Sequence, residues 1–392
     1  MLMPITFIHT ADWQLGKPFA RVSDVAKRSR LQNERFECLK RVAAAIMEHQ
    51  AAFVLVAGDL FDSPSPLKAT VAKACEAIGA MEVPVLVIPG NHDHGGAGSL
   101  WEQPFFIRQK EQLAPNLRLL LTPEPVLLYS AIIFPAPLMR RMSLVDPTLW
   151  IRNAFDAASF PADLPRIVLA HGSIQGFGAA QDDEDEAPGS PNIIDLSRLP
   201  VAEIDYIALG DWHGTKQVGA KAWYSGTPEI DRFPKGENNN PGNILVVKSA
   251  RGETPLIETL TTSHFRWNEL SYKFSEDDSF DAFRTKLAEN IGAWGQDSLL
   301  RLVLEGNLGI EASRLLQEYL VGLDARLLRI KLEDRVGIAP TETEIHDLAN
   351  RPADPLVATV ASQLIAAMAG DADAGIARIA LRELHAACAT AL

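Results

Sequence analysis

The order of short apolar runs and helical patterns over the first ninety residues constrains the fold most. Apolar runs rich in Val, Ile and Phe at residues 5–10, 53–57 and 83–89 are typical of buried strands. Helical periodicity at residues 28–50 and 67–81 separates them. This βαβαβ order predicts a parallel sheet with right-handed crossovers.

The rest of the chain continues the pattern and then changes character. A hairpin is predicted at residues 126–135, and further strands at 166–170, 206–209, 222–225 and 243–248. After residue 264 a separate α/β unit is predicted, with strands at 265–274, 299–305 and 326–331 and helices at 280–291 and 310–322. Three helices follow, at 341–350, 355–369 and 374–391. We therefore expect three domains, at 1–262, 263–338 and 339–392.

Five of the predicted strands end in a short polar cluster. The clusters are D-x-Q at 12–14, GDxxD at 58–62, GNHD at 90–93, HG at 171–172 and GDxH at 210–213. Ligands of open α/β sheets bind outside the carboxyl ends of strands, so these clusters are expected to converge. Carboxylate, imidazole and amide groups form the ligand set of a divalent cation. Each cluster alone is typical of turns and helix caps, and the set in this order is the signal.

The set resembles the calcineurin-like metallophosphoesterase superfamily, and within it the SbcD-type DNA repair nuclease subunits. The likeness to the nuclease branch depends on HTADW at 9–13, YSGTPE at 224–229 and the α/β unit near 265–331. The resemblance implies a four-layer α-β-β-α sandwich with a smaller α/β capping domain and C-terminal helices. It also implies two divalent metal ions that activate a water and hold the attacking and leaving oxygens.

The resemblance assigns the ligands residue by residue. One metal would be bound by Asp12, Gln14, Asp59 and His213. The other would be bound by Asp59, Asn91, His171 and Asp211, with Asp59 bridging the two. His92 would stabilise the transition state or act as the general acid, oriented by Asp93.

Two positions depart from the family pattern. Gln14 stands where the family more often has His, and Asp211 replaces the first His of GHxH. Both are oxygen ligands, so the set favours Mn²⁺, with Mg²⁺ as the alternative, over Zn²⁺ or Fe. A neutral amide is a poor ligand, so the Gln14 position is expected to bind its metal more weakly.

Charge and composition bear on the substrate and partners. The formal charge is -13, and part of the acid is concentrated in a predicted solvated loop at 182–186. A basic stretch at 17–41, Arg232 and Lys235 are candidates for phosphate contacts, although most of that stretch is expected on an exposed helix face. The three cysteines do not form a disulfide framework, and no apolar run could span a membrane. We expect a cytoplasmic protein.

The preferred hypothesis is a Mn²⁺-dependent DNA exo- or endonuclease subunit acting in repair. An SbcC-like SMC-type ATPase would dock on the C-terminal helices and supply much of the grip on DNA, and a homodimer is expected. Two alternatives stay open: a phosphoesterase for small substrates, and a scaffolding member whose site has decayed through Gln14 and Asp211. The chain beyond residue 261 disfavours the first alternative, and the retained acidic and imidazole residues disfavour the second.

Overall fold

A computed structural model describes most of the chain. The described residues are 4–157, 159–174, 192–234, 239–275, 277, 279–339, 341–350, 354–368 and 374–390. They form two compact units, which divide between His264 and Phe265. The predicted acidic loop at 182–186 and Lys235 lie outside the described residues. No described helix is both long enough and apolar enough to cross a bilayer.

The first unit contains two six-stranded sheets and four α-helices among its described residues. Its strands are β1 (Ile5–Thr10), β2 (Val54–Ala57), β3 (Val85–Ile88), β4 (Leu117–Leu119), β5 (Val126–Leu127), β6 (Ile132–Ala136), β7 (Arg166–His171), β8 (Ser173–Ile174), β9 (Ile193–Ile194), β10 (Tyr206–Gly210), β11 (Lys216–Gln217), β12 (Ala222–Tyr224), β13 (Asn243–Ser249) and β14 (Leu256–Thr261). Its helices are α1 (Val25–Glu48), α2 (Lys68–Gly79), α3 (Pro104–Leu113) and α4 (Trp150–Ala157).

The first sheet has the order β14-β13-β1-β2-β3-β4, and the second has the order β11-β12-β10-β7-β6-β5. β1, β2, β3 and β4 are parallel, which confirms the βαβαβ prediction. β6, β7, β10 and β12 are parallel in the second sheet, and β5 and β6 form the predicted antiparallel hairpin. β8 and β9 pair in a small sheet of their own.

Alternating side chains on the central strands build separate core layers. In β2, Val54 and Val56 pack with apolar residues of α1 and α2, whereas Leu55 and Ala57 face the second sheet. The outer face of the second sheet packs against apolar residues that include Ile151 of α4. Because each strand alternates its side chains between two cores, the order of layers is α-β-β-α, as predicted.

Helix α1 illustrates how the sequence specifies these layers. Asp24 caps its N-terminus, and the carboxylate accepts from the backbone N–H of Lys27 at 3.0 Å. Its buried apolar side chains recur at helical spacing and face the first sheet; they are Leu31, Cys38, Leu39, Val42, Ala45 and Ile46. The helix therefore crosses between β1 and β2 with its polar face outward.

The second unit contains a three-stranded parallel sheet in the order β15-β16-β17. Its elements are β15 (Arg266–Phe274), α5 (Ser279–Ile291), β16 (Ser298–Leu308), α6 (Ile310–Arg326), β17 (Arg329–Ile338), α7 (Glu342–Ala349), α8 (Pro355–Met368) and α9 (Ala374–Thr390). A capping box begins α7, in which the Thr341 and Glu344 side chains bond each other's backbone amides. The predicted split between residues 263–338 and 339–392 stays a prediction.

The element boundaries differ from the predictions in a few places. The last strand was expected to begin at Arg326, but that residue ends α6 and the strand begins at Arg329. The elements that were not predicted include α3, α4, β4 and β14 and the two-residue strands β8, β9 and β11. Strand β14 lies at the edge of its sheet, and half of its residues are polar, so it lacks the apolar run that identified the central strands.

Candidate metal centre

The carboxyl ends of five strands meet at one edge of the two sheets. The loops after β1 and β2 run side by side, with Asp12 N–H donating to Gly58 O at 3.1 Å and Gln14 N–H to Asp59 O at 3.0 Å. Asp211, directly after β10, donates its backbone N–H to the Asp12 carboxylate at 3.3 Å. The fold thus brings residues from both sheets into contact at this edge.

The centre of the site is formed by Asp12, Asp59 and His171. One ligand atom of each lies within 4.8 Å of the others, and all three residues are buried. His171 Nε2 is 3.7 Å from Asp59 Oδ1 and 3.6 Å from Asp211 Oδ1. Three carboxylates and an imidazole nitrogen therefore surround one point, which is the donor set of a hard divalent cation.

Hydrogen bonds fix the orientation of His171. Its Nδ1 lies 2.8 Å from the backbone oxygen of Ala57, so Nδ1–H donates there and Nε2 faces the carboxylates. Burial opposes protonation of this ring, but the charges of Asp59, Asp12 and Asp211 outweigh it and raise the pKa of His171 to about 9. The carboxylates thus favour a positive charge beside Nε2. A bound metal ion can supply this charge in place of a proton.

The carboxylates themselves carry an energetic cost without a cation. Burial raises the pKa of Asp12 to about 6, and the nearby charges of His213 and His171 offset part of that rise. Burying an anion is unfavourable unless a positive partner compensates it.

The amide side chains of Asn91 and Gln14 indicate whether the centre suits a bound metal ion. The amide oxygen of Asn91 is directed at acceptors and lies 2.9 Å from His171 Nε2; a reversed amide would instead donate to His171 and Asp59. A bound cation would satisfy the amide oxygen without reversal. The buried Oε1 of Gln14 has no hydrogen-bond partner among the described residues. Both observations fit a cation in this centre.

His213 is placed at the far side of Asp12. Its Nε2 lies 3.9 Å from Asp12 Oδ1, and its Nδ1 donates to Asp231 Oδ1 at 3.0 Å. Asp231 is buried and also forms an ion pair with Lys17 Nζ at 3.2 Å. Burial would raise the pKa of Asp231, but the charges of Arg232, His213 and Lys17 hold it well below its ordinary value. Asp231 was not predicted as a site residue, although it lies two residues beyond the YSGTPE segment.

His92 lies at the entrance of the centre. Its backbone N–H donates to Asp59 Oδ1 at 2.9 Å, and its ring Nδ1 lies 2.9 Å from the backbone oxygen of Asp62. Its Nε2 is 4.0 Å from Asp59 Oδ2. The ring is therefore held through Nδ1, and Nε2 is the atom turned toward the carboxylates.

The carboxylate of Asp93, which was expected to orient His92, contacts backbone amides. It accepts from the backbone N–H groups of Gly90 at 2.7 Å and Phe61 at 3.1 Å. Burial raises the pKa of Asp93 to about 7, with a further contribution from the charge of Asp59. Asp93 ties the loop after β3 to the loop after β2, so it shapes the backbone that carries His92.

Arg35 is a buried member of the basic stretch at 17–41. Most of that stretch was expected on an exposed helix face, but Arg35 is 1% exposed. Its guanidinium donates to the backbone oxygens of Trp13, Asp12 and Glu229 and to Thr227 Oγ1, at 2.7–3.1 Å. It therefore ties the loop after β1 to the YSGTPE segment. Its position four residues after Leu31 and three before Cys38, in the buried stripe of α1, is the sequence signal that distinguishes it from its exposed neighbours.

A sixth strand end lies beside the centre. The loop after β6 runs along the loop after β3, with Leu138 N–H donating to Pro89 O at 3.1 Å and Gly95 N–H to Leu138 O at 2.8 Å. Arg140 and Arg141, next in the chain, are exposed. The buried Asn192 side chain donates to Arg141 O at 2.9 Å. This loop has no strand-terminal polar cluster, so no motif in the sequence marks it.

The histidine and tryptophans near the strand ends lie outside the centre itself. His9, the first residue of HTADW, lies 2.8 Å from Tyr206 Oη and 3.2 Å from Leu209 O. Trp13 and Trp101 are buried in the core next to the first sheet. Trp212 is only partly buried.

Fold and site together define a metal-dependent phosphoesterase. The family profile of the Calcineurin-like phosphoesterases matches residues 5–215, more than half of the chain. The chain belongs to this family.

Three curated proteins illustrate its relatives. The "Uncharacterized metallophosphoesterase YhaO" of Bacillus subtilis (strain 168) is 37% identical over 101 residues, 24% of this chain and 25% of that protein. SbcD, a subunit of the nuclease SbcCD of the same organism, is 25% identical over 63% of this chain and 66% of its own. The "DNA double-strand break repair protein Mre11" of Aeropyrum pernix is 28% identical over 64% and 59%. The chain thus spans between a quarter and two thirds of the length of these relatives.

Proposed function

We propose that this chain is a metal-dependent phosphodiesterase that cuts DNA. The observation that carries the proposal is the buried cluster of Asp12, Asp59 and His171 at the strand ends of a calcineurin-like phosphoesterase. The relatives named as a nuclease subunit and a double-strand break repair protein favour DNA over other phosphodiesters.

The predicted ligands would hold two divalent ions. Asp59, Asn91, His171 and Asp211 would hold one, and Asp12, Gln14 and His213 would hold the other together with Asp59. An oxygen-rich set of this kind favours Mn²⁺, with Mg²⁺ as the alternative. When bound, such ions supply Lewis acidity and an activated water.

His92 is proposed to donate a proton to the leaving oxygen of the phosphodiester. Its Nδ1 is hydrogen-bonded to the backbone oxygen of Asp62 at 2.9 Å. Only Nε2 can therefore form a hydrogen bond to a substrate oxygen. Protonated on both nitrogens, the ring would donate from Nε2 to the leaving oxygen. Asp93 supports this role indirectly, through the backbone of the GNHD loop.

The loop after β6 is proposed to contact the DNA backbone. Arg140 and Arg141 are exposed beside the loop that carries His92, and neither makes a carboxylate ion pair within the described part of the chain. Guanidinium groups bind phosphate through two parallel hydrogen bonds. The positive charge of this loop would attract DNA phosphates despite the net negative charge of the whole chain.

The C-terminal helices are proposed to bind an SbcC-like ATPase. Leu364, Ile365 and Leu384 of the predicted apolar face pack into the core of the second unit. Leu356, Ile376 and Ile379 are 73%, 70% and 54% exposed, which leaves apolar surface for a partner. The homodimer and the cytoplasmic location stay predictions.

The test is release of nucleotides from end-labelled linear DNA with added Mn²⁺. We expect cleavage by the native chain, and a loss of at least about 100-fold in Asp59→Asn and in His92→Ala. His49→Ala, at the end of α1 and away from the strand ends, is the matched control and should cleave normally. Metal content is measured on the same samples, because Asp59→Asn should lose metal and His92→Ala should keep it.

Two outcomes would reject the DNA substrate or the chemistry. Hydrolysis of an aryl phosphodiester without cleavage of DNA would favour the small-substrate alternative. A purified chain that binds no Mn²⁺ and hydrolyses neither substrate would favour the decayed scaffold.

A further inference from the structure

The two halves of the centre differ in what faces their ligand atoms. Around His171 Nε2 lie three oxygen atoms, Asn91 Oδ1 at 2.9 Å, Asp211 Oδ1 at 3.6 Å and Asp59 Oδ1 at 3.7 Å. Around His213, by contrast, a side-chain cation contacts the ligand nitrogen. The two metal positions are therefore not equivalent in this chain.

The contact at His213 is made by an arginine. Nη2 of Arg232 lies 3.2 Å from His213 Nε2, the nitrogen that the second metal would need. His213 Nδ1 is engaged by Asp231 at 3.0 Å, so Nε2 is the acceptor and the guanidinium is the donor. A full positive charge thus lies at the atom where a cation was predicted.

Asp231 holds this arginine in place. Its Oδ2 is 3.3 Å from Arg232 Nη2 and 3.4 Å from Nε, while its Oδ1 accepts from His213. One buried carboxylate therefore positions both the imidazole and the guanidinium. The Arg232 side chain is 23% exposed, so it has a path out of the site toward solvent.

Gln14 weakens the same half in a second way. Its amide N–H donates to Asp59 Oδ2 at 2.8 Å, so one oxygen of this carboxylate is already hydrogen-bonded. Arg232 and Gln14 thus each place a donor on a ligand atom of this half, while Gln14 Oε1 has no partner among the described residues.

We propose that the guanidinium of Arg232 occupies the second cation position, so that the chain binds one divalent ion tightly and a second only when Arg232 leaves His213. The first ion binds among Asp59, Asn91, His171 and Asp211. The inference rests on the proposed metal-dependent function and adds an unequal occupancy that is set by this chain's own residues.

The experiment measures Mn²⁺ bound to the full chain by equilibrium dialysis after removal of metal with a chelator. We expect one Mn²⁺ per chain at low free metal, and a second only at a free concentration about 10-fold higher or more. Arg232→Gln removes the competing charge and should tighten the second ion by about 10-fold. Electron paramagnetic resonance should then show spin-coupled Mn²⁺ pairs at a lower metal concentration than in the native chain.

Two further variants keep the result interpretable. Arg118→Gln, an exposed arginine of β4, is the matched control and should leave both affinities unchanged. Arg232→Met removes the same positive charge and keeps an unbranched side chain, and it should also tighten the second ion. It provides a test if Arg232→Gln fails to fold.

The inference is overturned if the native chain binds two Mn²⁺ with equal affinity, if it binds none, or if neither substitution tightens the second ion. The expected binding pattern in a chain that cleaves no DNA would support the inference and reject only the proposed nuclease function.

Discussion

Four of the predicted metal ligands share a backbone conformation that side chains rarely adopt. Asp12, Gln14, Asp59 and Asp211 have φ values of 53°, 48°, 54° and 101°. Each such residue costs about 1–3 kcal/mol, and strain of this kind concentrates at functional sites. The conformation turns each side chain sharply off the end of its strand toward the centre.

Glycines make room for these ligands. A Cβ on Gly58, which has a φ of +88°, would lie 2.2 Å from His171 Nδ1, and one on Gly90 would lie 2.1 Å from Asp59 Oδ1. The glycines of GDxxD and GNHD are therefore required by the ligands of neighbouring strands.

We predict that Gly58→Ala lowers the free energy of unfolding by about 2 kcal/mol or more, and displaces His171 enough to weaken Mn²⁺ binding. Gly322→Ala is the control, because this helical glycine has open space around it and should gain up to about 1 kcal/mol. Urea denaturation and metal titration measure the two effects. Equal stability changes in the two variants would contradict the steric argument.

His9 makes the first unit sensitive to acid. Burial lowers its pKa to about 3, from an ordinary value of 6.5. Because the unfolded chain binds more protons between these values, the free energy of unfolding contributed by His9 falls as the pH drops from about 6.5 toward 3.

We predict that His9→Gln removes about 2 kcal/mol of the stability loss between pH 7 and pH 5. The comparison of urea denaturation at the two pH values isolates this effect from the carboxylates, which titrate in both proteins. An unchanged dependence in His9→Gln would show that the ring is not held neutral.

At the scale of elements, α1 does more than cover the sheet. Its Arg35 connects the loop after β1 to the YSGTPE segment through four acceptors. We predict that Arg35→Gln lowers the free energy of unfolding by about 3 kcal/mol or more, since several buried acceptors lose their donor. Metal affinity should fall as well, because Asp12 and Gln14 lie on the released loop.

Lys40→Gln on the same helix is the control for Arg35, and it should change stability by less than about 1 kcal/mol because its ion pair with Glu37 is exposed. If both variants denature alike, Arg35 does not join the two segments as the contacts indicate.

The loop after β6 gives a prediction about substrate binding. Arg140→Ala with Arg141→Ala should weaken DNA binding about equally for all sequences, and reduce the slope of log affinity against log salt by about 2. The matched pair Arg108→Ala and Arg118→Ala changes exposed arginines of α3 and β4. Fluorescence anisotropy at several salt concentrations measures both slopes. An equal effect of the two pairs would argue against a specific role for this loop.

At the scale of the molecule, the first unit contains every predicted metal ligand and both sheets that position them. Its core layers are complete without residues beyond His264. We predict that residues 1–264 fold alone and bind Mn²⁺ with the stoichiometry of the full chain. Circular dichroism and equilibrium dialysis test this, and loss of metal binding in a folded fragment would show that the second unit completes the centre.

The sequence by itself determined the class of fold and the composition of the centre. Buried parallel strands are continuous apolar runs, and their carboxyl ends carry the polar clusters, so both are visible in the local order of residues. Asp12, Asp59, Asn91, His171 and Asp211 were predicted together for this reason, and the structure places them together.

Only the tertiary structure decided which residues support that centre. Arg35 and Asp231 act on loops that are distant in sequence, Asp93 bonds backbone amides, and Arg232 contacts His213 across a turn. Arg35 lies on the buried stripe of α1 and Asp93 lies in the GNHD cluster, but neither pattern specifies which atoms these side chains contact. Their contacts depend on how the two sheets pack, and the packing of sheets is a property of the whole chain.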